Sequence, residues 1–486
     1  MLDHARPGTA EAPAVTSPAG RADGRSEPAR RPMIPAAERL AAGLAMIRRK
    51  RAALLQYAGS TASLMIGSAA QLVTFAILAR FLGVEQFGLL MMVTAVTNLA
   101  AQVCGLGGTE TMVRRVARDP ALYAGALGHT LILLGASGLV LVAGLAAALP
   151  WFVALSPDPV VNAAALLALV LTNVVLVRWI VLAEHIFIAR WQMTGANLVN
   201  LGFALGRTLA AALGCVAFGV ATVADWASWH LGGHLVIAAA CALALRRFGA
   251  PRWTILPGEV KLGLYFSTPF IAQVLRQNAD LLVLTAVTTP EVVGAFSVAR
   301  RIVETSFLAV SALLRLVYSR LAVASEGGFA TMMPLARRVL VTATSIAAFT
   351  AAGIFLIAPA MPLLFGKDFG AMVSYLRILC GMPVLVTVYS VAAEVLGAAG
   401  RHGVRAALYN LGGLAGTAIV AGATYLHPVT GTFLAFYVVE TMLAVLFWVA
   451  LTRLVRAERA PSAHGFGHPP GRGSAGLGSR STRASR

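Results

Sequence analysis

Charged and amide side chains interrupt two long apolar stretches of this sequence, one on each side of Pro290. In the first stretch they are spaced i, i+3, i+4 and i+7, so they share one face of a helix. These residues are Gln273, Arg276, Gln277 and Asp280. In the second stretch, Arg301, Glu304, Ser311 and Arg315 follow one helix face over four turns. Two neighbouring helices are therefore predicted to carry polar stripes.

Arginine is the residue type in these stripes that points most directly to a ligand. Its guanidinium group offers a planar fork of N–H donors that matches the oxygens of a phosphate or a carboxylate. A structural alternative remains open, in which Arg276 neutralises Asp280 and Arg301 neutralises Glu304, so that the pairs only fix helix packing. An ionised group near the centre of a bilayer costs roughly 2.5–3.5 kcal/mol and normally faces a bundle interior or a watery cavity.

The first half of the chain supplies further polar positions. Gln71, Asn98 and Asn200 lie on the faces of three apolar segments, and Arg207 lies in the same segment as Asn200. Arg178 lies deep within a fourth segment. We expect no acidic neighbour for Arg300 or Arg315, so a cavity formed by these faces should be net cationic. We predict that this cavity binds an anionic ligand, such as a phosphate or a carboxylate group, through five arginines. They are Arg178, Arg207, Arg276, Arg301 and Arg315. Asp280 and Glu304 are predicted to orient arginines or take part in gating. The predicted polar lining is Gln71, Asn98, Asn200, Gln273 and Gln277.

The composition predicts a membrane protein with many spans. Of 486 residues, 58% are hydrophobic and 12% are charged, and about 20 apolar residues are needed to cross a bilayer as a helix. Twelve segments meet that length. They are 57–78, 87–106, 124–149, 161–182, 198–218, 226–245, 262–287, 293–317, 339–361, 372–396, 404–425 and 430–451. The sequence thus predicts an all-α polytopic protein of about 12 transmembrane helices.

A short internal repeat divides these segments into two halves. Glu85-Gln86-Phe87-Gly88 and Glu291-Val292-Val293-Gly294 are 206 residues apart, each between the first two segments of its half. Such repeats occur in transporters whose halves enclose a central site. We predict a six-helix lobe over 54–250, a second over 251–455, a disordered basic tail with a short interfacial helix over 1–53, and a disordered tail over 456–486.

The distribution of lysine and arginine predicts the orientation. These residues collect in the even-numbered connections, which therefore stay cytoplasmic together with both termini. The formal net charge of +19 arises in loops and tails beside apolar helices. Anionic phospholipid of the inner leaflet is thus the expected partner, and nucleic acid is not.

Signatures of catalysis, metal binding or a cofactor are not found. The chain contains neither a GxxxxGK[ST] loop nor a nucleophile elbow, and the four cysteines fall inside predicted helices at spacings unsuited to a metal. The predicted outer connections are roughly 5 to 12 residues long, the length of simple turns. We therefore expect no enzyme activity, no metal and no cofactor.

The run Ala79-Arg80-Phe81-Leu82-Gly83-Val84-Glu85-Gln86-Phe87-Gly88 resembles the first-hairpin signature of oligosaccharide-lipid (Wzx-type) flippases in the MATE-like superfamily. Similar stretches follow in the same order. They are Asp280-Leu-Leu-Val-Leu, Val293-Gly294-Ala295-Phe296, Ala299-Arg300, Leu364-Phe365-Gly366 and Gly397-Ala-Ala-Gly400-Arg401. The resemblance extends over about 54–453.

This resemblance implies two six-helix lobes around a cavity that opens alternately to each side of the inner membrane. It also implies a cargo, an undecaprenyl-diphosphate-linked glycan for lipopolysaccharide or exopolysaccharide synthesis, and a polysaccharide polymerase or export machinery as further partners. The alternative is a cation-coupled exporter of small molecules from the same superfamily. Exporters of that kind are expected to hold their cation with an acid in the first lobe, where the first six predicted spans have none.

Overall fold

The computed structural model describes the backbone of residues 36–459, and the side chains of 59–458 except 60, 61, 64, 269, 270, 272 and 273. Residues 1–55 and 56–486 form two compact units. In the first unit the described residues, 36–55, are helical. Most of the predicted tails, 1–35 and 460–486, lies outside the described residues. The placement of the predicted interfacial helix stays a prediction, because its side chains are not described.

The described chain is almost entirely helical, and no strand occurs among the described residues. Apolar helices satisfy all their backbone donors and acceptors internally, which a chain in lipid requires. The helices are α1 (Ala36–Val103), α2 (Gly108–Arg118), α3 (Tyr123–Ala148), α4 (Pro159–Val170), α5 (Val177–Ala189), α6 (Met193–Ala211), α7 (Val223–Leu245), α8 (Pro257–Val287), α9 (Pro290–Ser306), α10 (Leu308–Ser325), α11 (Gly328–Ile357), α12 (Met361–Phe365), α13 (Met372–Leu379), α14 (Met382–Ala398), α15 (His402–Leu426) and α16 (Pro428–Arg459). Two π-helical turns, Leu171–Leu176 and Ala212–Ala217, follow α4 and α6.

Local sequence signals explain where several helices begin. Pro290 begins α9 after an extended residue, Thr289, because proline is compatible with the first turn of a helix but not with its interior. A helix boundary therefore separates the two apolar stretches at Pro290. At α4, the Asp158 carboxylate accepts hydrogen bonds from the amides of Val160 and Val161, so it caps donors that the first turn leaves free.

Ten segments of the described chain are long and apolar enough to cross a membrane, so the predicted count of twelve is not confirmed. Two predicted spans fall in one segment, Met65–Val103, which is interrupted by Gly83 at φ 75° and ψ 170°. The predicted span 262–287 lies in the 31-residue α8, which is not among the ten. The polar run Arg276–Asp280 lowers the hydropathy of α8.

The buried apolar residues form three clusters. One contains residues of the first half alone, between Met112 and Leu245. A second contains residues of the second half alone, between Ala279 and Val455. The third joins both halves and includes Phe87, Phe296 and Phe369. The halves thus have separate cores and share one more, while their description as two six-helix lobes stays a prediction.

Residues of the signature run contact the second half at the predicted outer end of the bundle. Arg80 Nη1 donates to the carbonyl of Leu363 at 2.7 Å, and the rings of Phe87 and Phe369 meet edge to face at 6.1 Å. Gly88 lies so close to the carbonyl of Pro290 that a Cβ atom there would overlap it. The signature run and the Leu364-Phe365-Gly366 turn therefore belong to one contact region, which the sequence did not predict.

Gly88→Ala is expected to destabilise the protein by about 1–3 kcal/mol, because the added methyl group overlaps backbone and forces α1 away from α9. Thermal unfolding of the purified protein measures this effect. The matched control is Gly144→Ala in α3, where no heavy atom lies within 4 Å of the added Cβ atom. Equal unfolding temperatures for the two variants would contradict the close packing at Gly88.

Candidate functional site

A cavity of about 650 Å³ lies between helices of both halves, and we call it the main cavity. The carboxyl end of α1 contributes Asn98 and Gln102, while helices of the second half contribute its charged residues. Its polar lining comprises Asn98, Gln102, Arg276, Gln277, Asn278, Arg300, Arg301, Glu304, Tyr389 and Glu440. A space of this size and polarity is suited to a polar ligand.

Arg300 is the most strongly held of the main-cavity arginines. Its Nη1 atom lies 2.5 Å from a carboxylate oxygen of Asp280, whose side chain is completely buried. Its Nε atom donates to Glu304 at 2.8 Å, and its Nη2 atom donates to the carbonyl of Gln277. Arg300 therefore ties α9 to α8 and has little capacity left for a ligand.

Arg276 and Arg301 are held more loosely. The shortest separation between Arg276 and Glu440 is 3.4 Å, and that between Arg301 and Glu304 is 3.5 Å. Both distances are longer than the 2.7–2.9 Å of a strong charge-assisted hydrogen bond. An anionic ligand would therefore displace weak partners at Arg276 and Arg301, but strong ones at Arg300.

The structure corrects one open alternative and one expectation about pairing. Arg276 pairs with Glu440 on α16 and not with Asp280, and Arg300 has two acidic partners although none was expected. The alternative pair of Arg301 with Glu304 does form, at 3.5 Å. Asp280, Glu304 and Glu440 thus balance the three arginines, so the excess positive charge does not lie among them.

A second cavity, of about 240 Å³, lies between α1 and α6, and we call it the minor cavity. It is lined by Gly67, Ser68, Gln71, Thr74, Asn200, Phe203, Ala204 and Arg207. The Arg207 guanidinium stands 5.4 Å from the centroid of the Phe203 ring. Among the described residues no carboxylate lies within 4.0 Å of Arg207, so the minor cavity is the one with an uncompensated positive charge.

Arg207 and Arg301 come from opposite halves but are close enough to repel each other electrostatically. Arg301 also stands 5.5 Å from the centroid of the Phe75 ring on α1, next in sequence to Thr74 of the minor cavity. The Nε atoms of Arg207 and Arg301 are both buried, with no hydrogen-bond partner in the described chain. A bound anion would stabilise two like charges of this kind, because it would supply acceptors for their unfilled donors.

The structure places the other predicted residues as follows. Gln71 and Asn200 line the minor cavity, while Asn98 and Gln277 line the main cavity. Arg178 is half-buried on α5 and Arg315 is exposed on α10, and neither lines either cavity. Asp280 lies behind the main cavity against Arg300, and the side chain of Gln273 lies outside the described residues.

Breaks in the helices explain why Arg178 and Arg315 do not join the other arginines. The stripe that contains Arg315 assumes a continuous helix, but α9 ends at Ser306 and α10 begins at Leu308. Arg178 follows the π-helical turn Leu171–Leu176, which adds a residue to the turn and so changes the face of each later side chain. Glu440 also lines the main cavity, but its pairing with Arg276 could not be read from the local sequence.

These cavities belong to a bundle of membrane-length helices, so the chain is a multi-pass membrane protein. It belongs to the polysaccharide biosynthesis protein family, whose model matches residues 57–317. The family resemblance inferred from the motifs is thus confirmed. No curated protein matches the sequence significantly.

Solved structures share the fold. An inward-facing multidrug resistance MATE family transporter of the MOP superfamily aligns with a TM-score of 0.63 and 20% identity, over 82% of this chain and 96% of its own. The lipid II flippase MurJ, in an inward closed conformation, aligns with a TM-score of 0.66 and 12% identity, over 82% and 87%. The outward-facing MATE transporter aligns with a TM-score of 0.55 and 18% identity, over 84% and 97%. The fold is therefore that of membrane transporters and flippases and not that of an enzyme.

Proposed function

We propose that the protein is a flippase that moves an undecaprenyl-diphosphate-linked oligosaccharide or polysaccharide repeat unit outward across the inner membrane by alternating access. The observation that carries this proposal is that Arg207 in the minor cavity and Arg301 in the main cavity both have a buried Nε atom with no hydrogen-bond partner in the described chain. A diphosphate offers two anionic groups, and a guanidinium fork can bind each of them. Arg276, with its long contact to Glu440, is a third donor for an acidic sugar or the same diphosphate.

The surrounding lining supports a glycan as the remainder of the cargo. Amide and hydroxyl groups that suit sugar hydroxyls line the minor cavity at Gln71, Thr74 and Asn200, and the Phe203 ring offers an apolar face. In the main cavity, Asn98 and Gln277 provide further amides. We assign the sugar nearest the diphosphate to the minor cavity and the sugars farther from the diphosphate to the main cavity.

The direction of transport follows from charge and orientation. Positive residues collect in the predicted cytoplasmic connections, which supports cytoplasmic termini. Contacts between the halves at the predicted outer end, through Arg80 and Gly88, agree with a state that receives cargo from the cytoplasm. Because the cytoplasm is negative, outward movement of an anion is favoured by roughly 2.3 kcal/mol per charge per 100 mV. A polymerase or export complex that uses the delivered unit is the expected partner.

The alternative function is a cation-coupled exporter of small molecules, and it draws support from the structural neighbours that are multidrug resistance MATE family transporters. Such a protein needs a carboxylate that is free to hold a cation. Among the described residues, Glu304 and Glu440 in the main cavity and Asp280 behind it each have an arginine partner. The charges therefore favour an anionic cargo.

The proposal predicts transport of diphosphate-linked glycolipid by the purified protein. In vesicles with the protein, a fluorescent short-chain prenyl-diphosphate oligosaccharide in the inner leaflet becomes accessible to a membrane-impermeant quencher faster than in protein-free vesicles. The matched control is a neutral glycolipid with the same sugars and no diphosphate, which should stay protected. Transport of a cationic dye without transport of the diphosphate lipid would overturn the proposal in favour of the exporter.

A further inference from the structure

Three helix ends meet at the predicted cytoplasmic edge of the first half, where a group of arginines stacks on aromatic rings. The arginine–aromatic cluster consists of Tyr123, Phe187, Arg190, Arg247 and Phe248. The Arg190 guanidinium lies 4.7 Å from the Tyr123 ring centroid and 5.1 Å from that of Phe248. Arg247 lies 4.8 Å from Phe248 and 5.2 Å from Phe187. The rings themselves pack edge to face, so both guanidinium planes are fixed.

The cluster carries two positive charges without acidic partners. In the described chain no carboxylate lies within 4.0 Å of Arg190 or Arg247, and the one side-chain hydrogen bond of Arg247 is a donation to Gln192 Oε1 at 2.6 Å. Stacking holds a guanidinium by its face and leaves its N–H edge available. Two arginines with fixed planes and available edges suit the tetrahedral oxygens of a phosphate.

Two donors within the cluster also have no acceptor. The hydroxyl of Tyr123 and the Nε atom of Arg190 are buried, with no hydrogen-bond partner in the described chain. Tyr123 as a whole is 3% exposed, so bulk solvent does not reach its hydroxyl. Native structures usually satisfy such groups. A bound anion beside Arg190 would supply acceptor oxygens.

The turn that contains Arg190 also presents an anchor to the membrane surface. Trp191 has φ 58°, a left-handed conformation that bulky residues rarely adopt, and its side chain is 77% exposed. Indole rings favour the headgroup level of a bilayer. The strained turn thus holds Trp191 outward beside the arginine–aromatic cluster, and an indole ring in this position would favour the depth of the phospholipid phosphates.

We propose that the arginine–aromatic cluster binds the phosphodiester headgroup of an anionic phospholipid of the inner leaflet. Arg190 and Arg247 contact the phosphate oxygens through their N–H edges, while Tyr123 contributes its hydroxyl. This resident lipid would fix the ends of α3, α5 and α7 relative to one another. The site is separate from both cavities, so it does not depend on the nature of the transported cargo.

Native mass spectrometry of the full-length protein, titrated with phosphatidylglycerol, tests this proposal. Arg190→Gln is expected to weaken retention of the lipid by about fivefold, and Tyr123→Phe, which keeps the ring, should weaken it to a smaller degree. Arg118→Gln is the matched control, because it removes an exposed positive charge on the same predicted face outside the cluster. It should retain the lipid as the unaltered chain does.

Two further measurements distinguish a lipid phosphate from free phosphate as the ligand of the arginine–aromatic cluster. Phosphatidylcholine should be retained less than phosphatidylglycerol, and inorganic phosphate at equal concentration should not displace the lipid. Equal retention by Arg190→Gln and Arg118→Gln, unchanged retention by Tyr123→Phe, or displacement by inorganic phosphate would overturn the assignment. Tyr123→Phe keeps the test decisive if Arg190→Gln does not fold.

Discussion

Arg301→Glu is expected to abolish outward delivery of the lipid-linked glycan while the protein is still made at its normal level. Arg301 lines the main cavity, and its guanidinium lies 5.5 Å from the ring of Phe75, which is next in sequence to Thr74 of the minor cavity. Reversal of its charge replaces an attraction for the diphosphate by a repulsion, each worth about 4 kcal/mol at about 4 Å and an effective dielectric constant of about 20. Delivery should therefore fall by at least about a hundredfold.

The measurement is the amount of surface glycan in cells whose only copy of this protein carries the substitution. The amount is normalised to the quantity of this protein in the membrane fraction. Arg315→Glu is the matched control, because Arg315 is exposed and lines neither cavity. It should leave delivery near normal. Arg301→Lys should be intermediate, since it keeps the charge but loses the planar fork. Normal delivery by Arg301→Glu, or an equal loss in Arg315→Glu, would contradict the proposed binding site.

Asp280→Ala is expected to destabilise the protein by about 3 kcal/mol, the largest stability effect that the structure predicts. The Asp280 side chain is completely buried and bonds Arg300 twice, at 2.5 and 2.6 Å. Removal of one member of a buried pair leaves the other charge uncompensated, which costs about 3–5 kcal/mol. Glu304 still faces Arg300 in this variant, so the lower end of that range applies.

Equilibrium unfolding of the purified protein measures this difference. Glu304→Gln is the control, because the Glu304 side chain is 46% exposed and its pairs should contribute less than about 1 kcal/mol. Replacement of both Asp280 and Arg300 by apolar residues of similar size should cost less than Asp280→Ala alone. If Asp280→Ala and Glu304→Gln destabilise equally, Asp280 is not the buried anchor described above.

Composition was sufficient to predict a polytopic helical bundle, because the bilayer admits few other structures for so apolar a chain. It was not sufficient for the helix count. The chain bends at Gly83 between two predicted spans, but both spans still fall in one continuous segment, 65–103. In α8, the polar run lowers the hydropathy by which a membrane span is recognised. Pro290 was informative because proline restricts the backbone directly.

The residues of the candidate site were predicted better than their contacts. Arg276, Gln277, Arg301 and Glu304 do line one cavity, since helical spacing places them on common faces. Their partners could not be predicted by the same argument, because Glu440 lies 164 residues from Arg276. The electrostatic interaction between Arg207 and Arg301 likewise depends on how the two halves pack, which no local sequence pattern encodes.

The 3.4 Å contact between Arg276 and Glu440 joins α8 to α16, and this link has a consequence for timing. A phosphate group that binds Arg276 would compete directly with Glu440 and release α16 from α8. Binding of the substrate would then loosen α8 from α16, whereas in the substrate-free protein the contact between Arg276 and Glu440 would keep the two helices together. Futile opening of an empty carrier would thereby be suppressed.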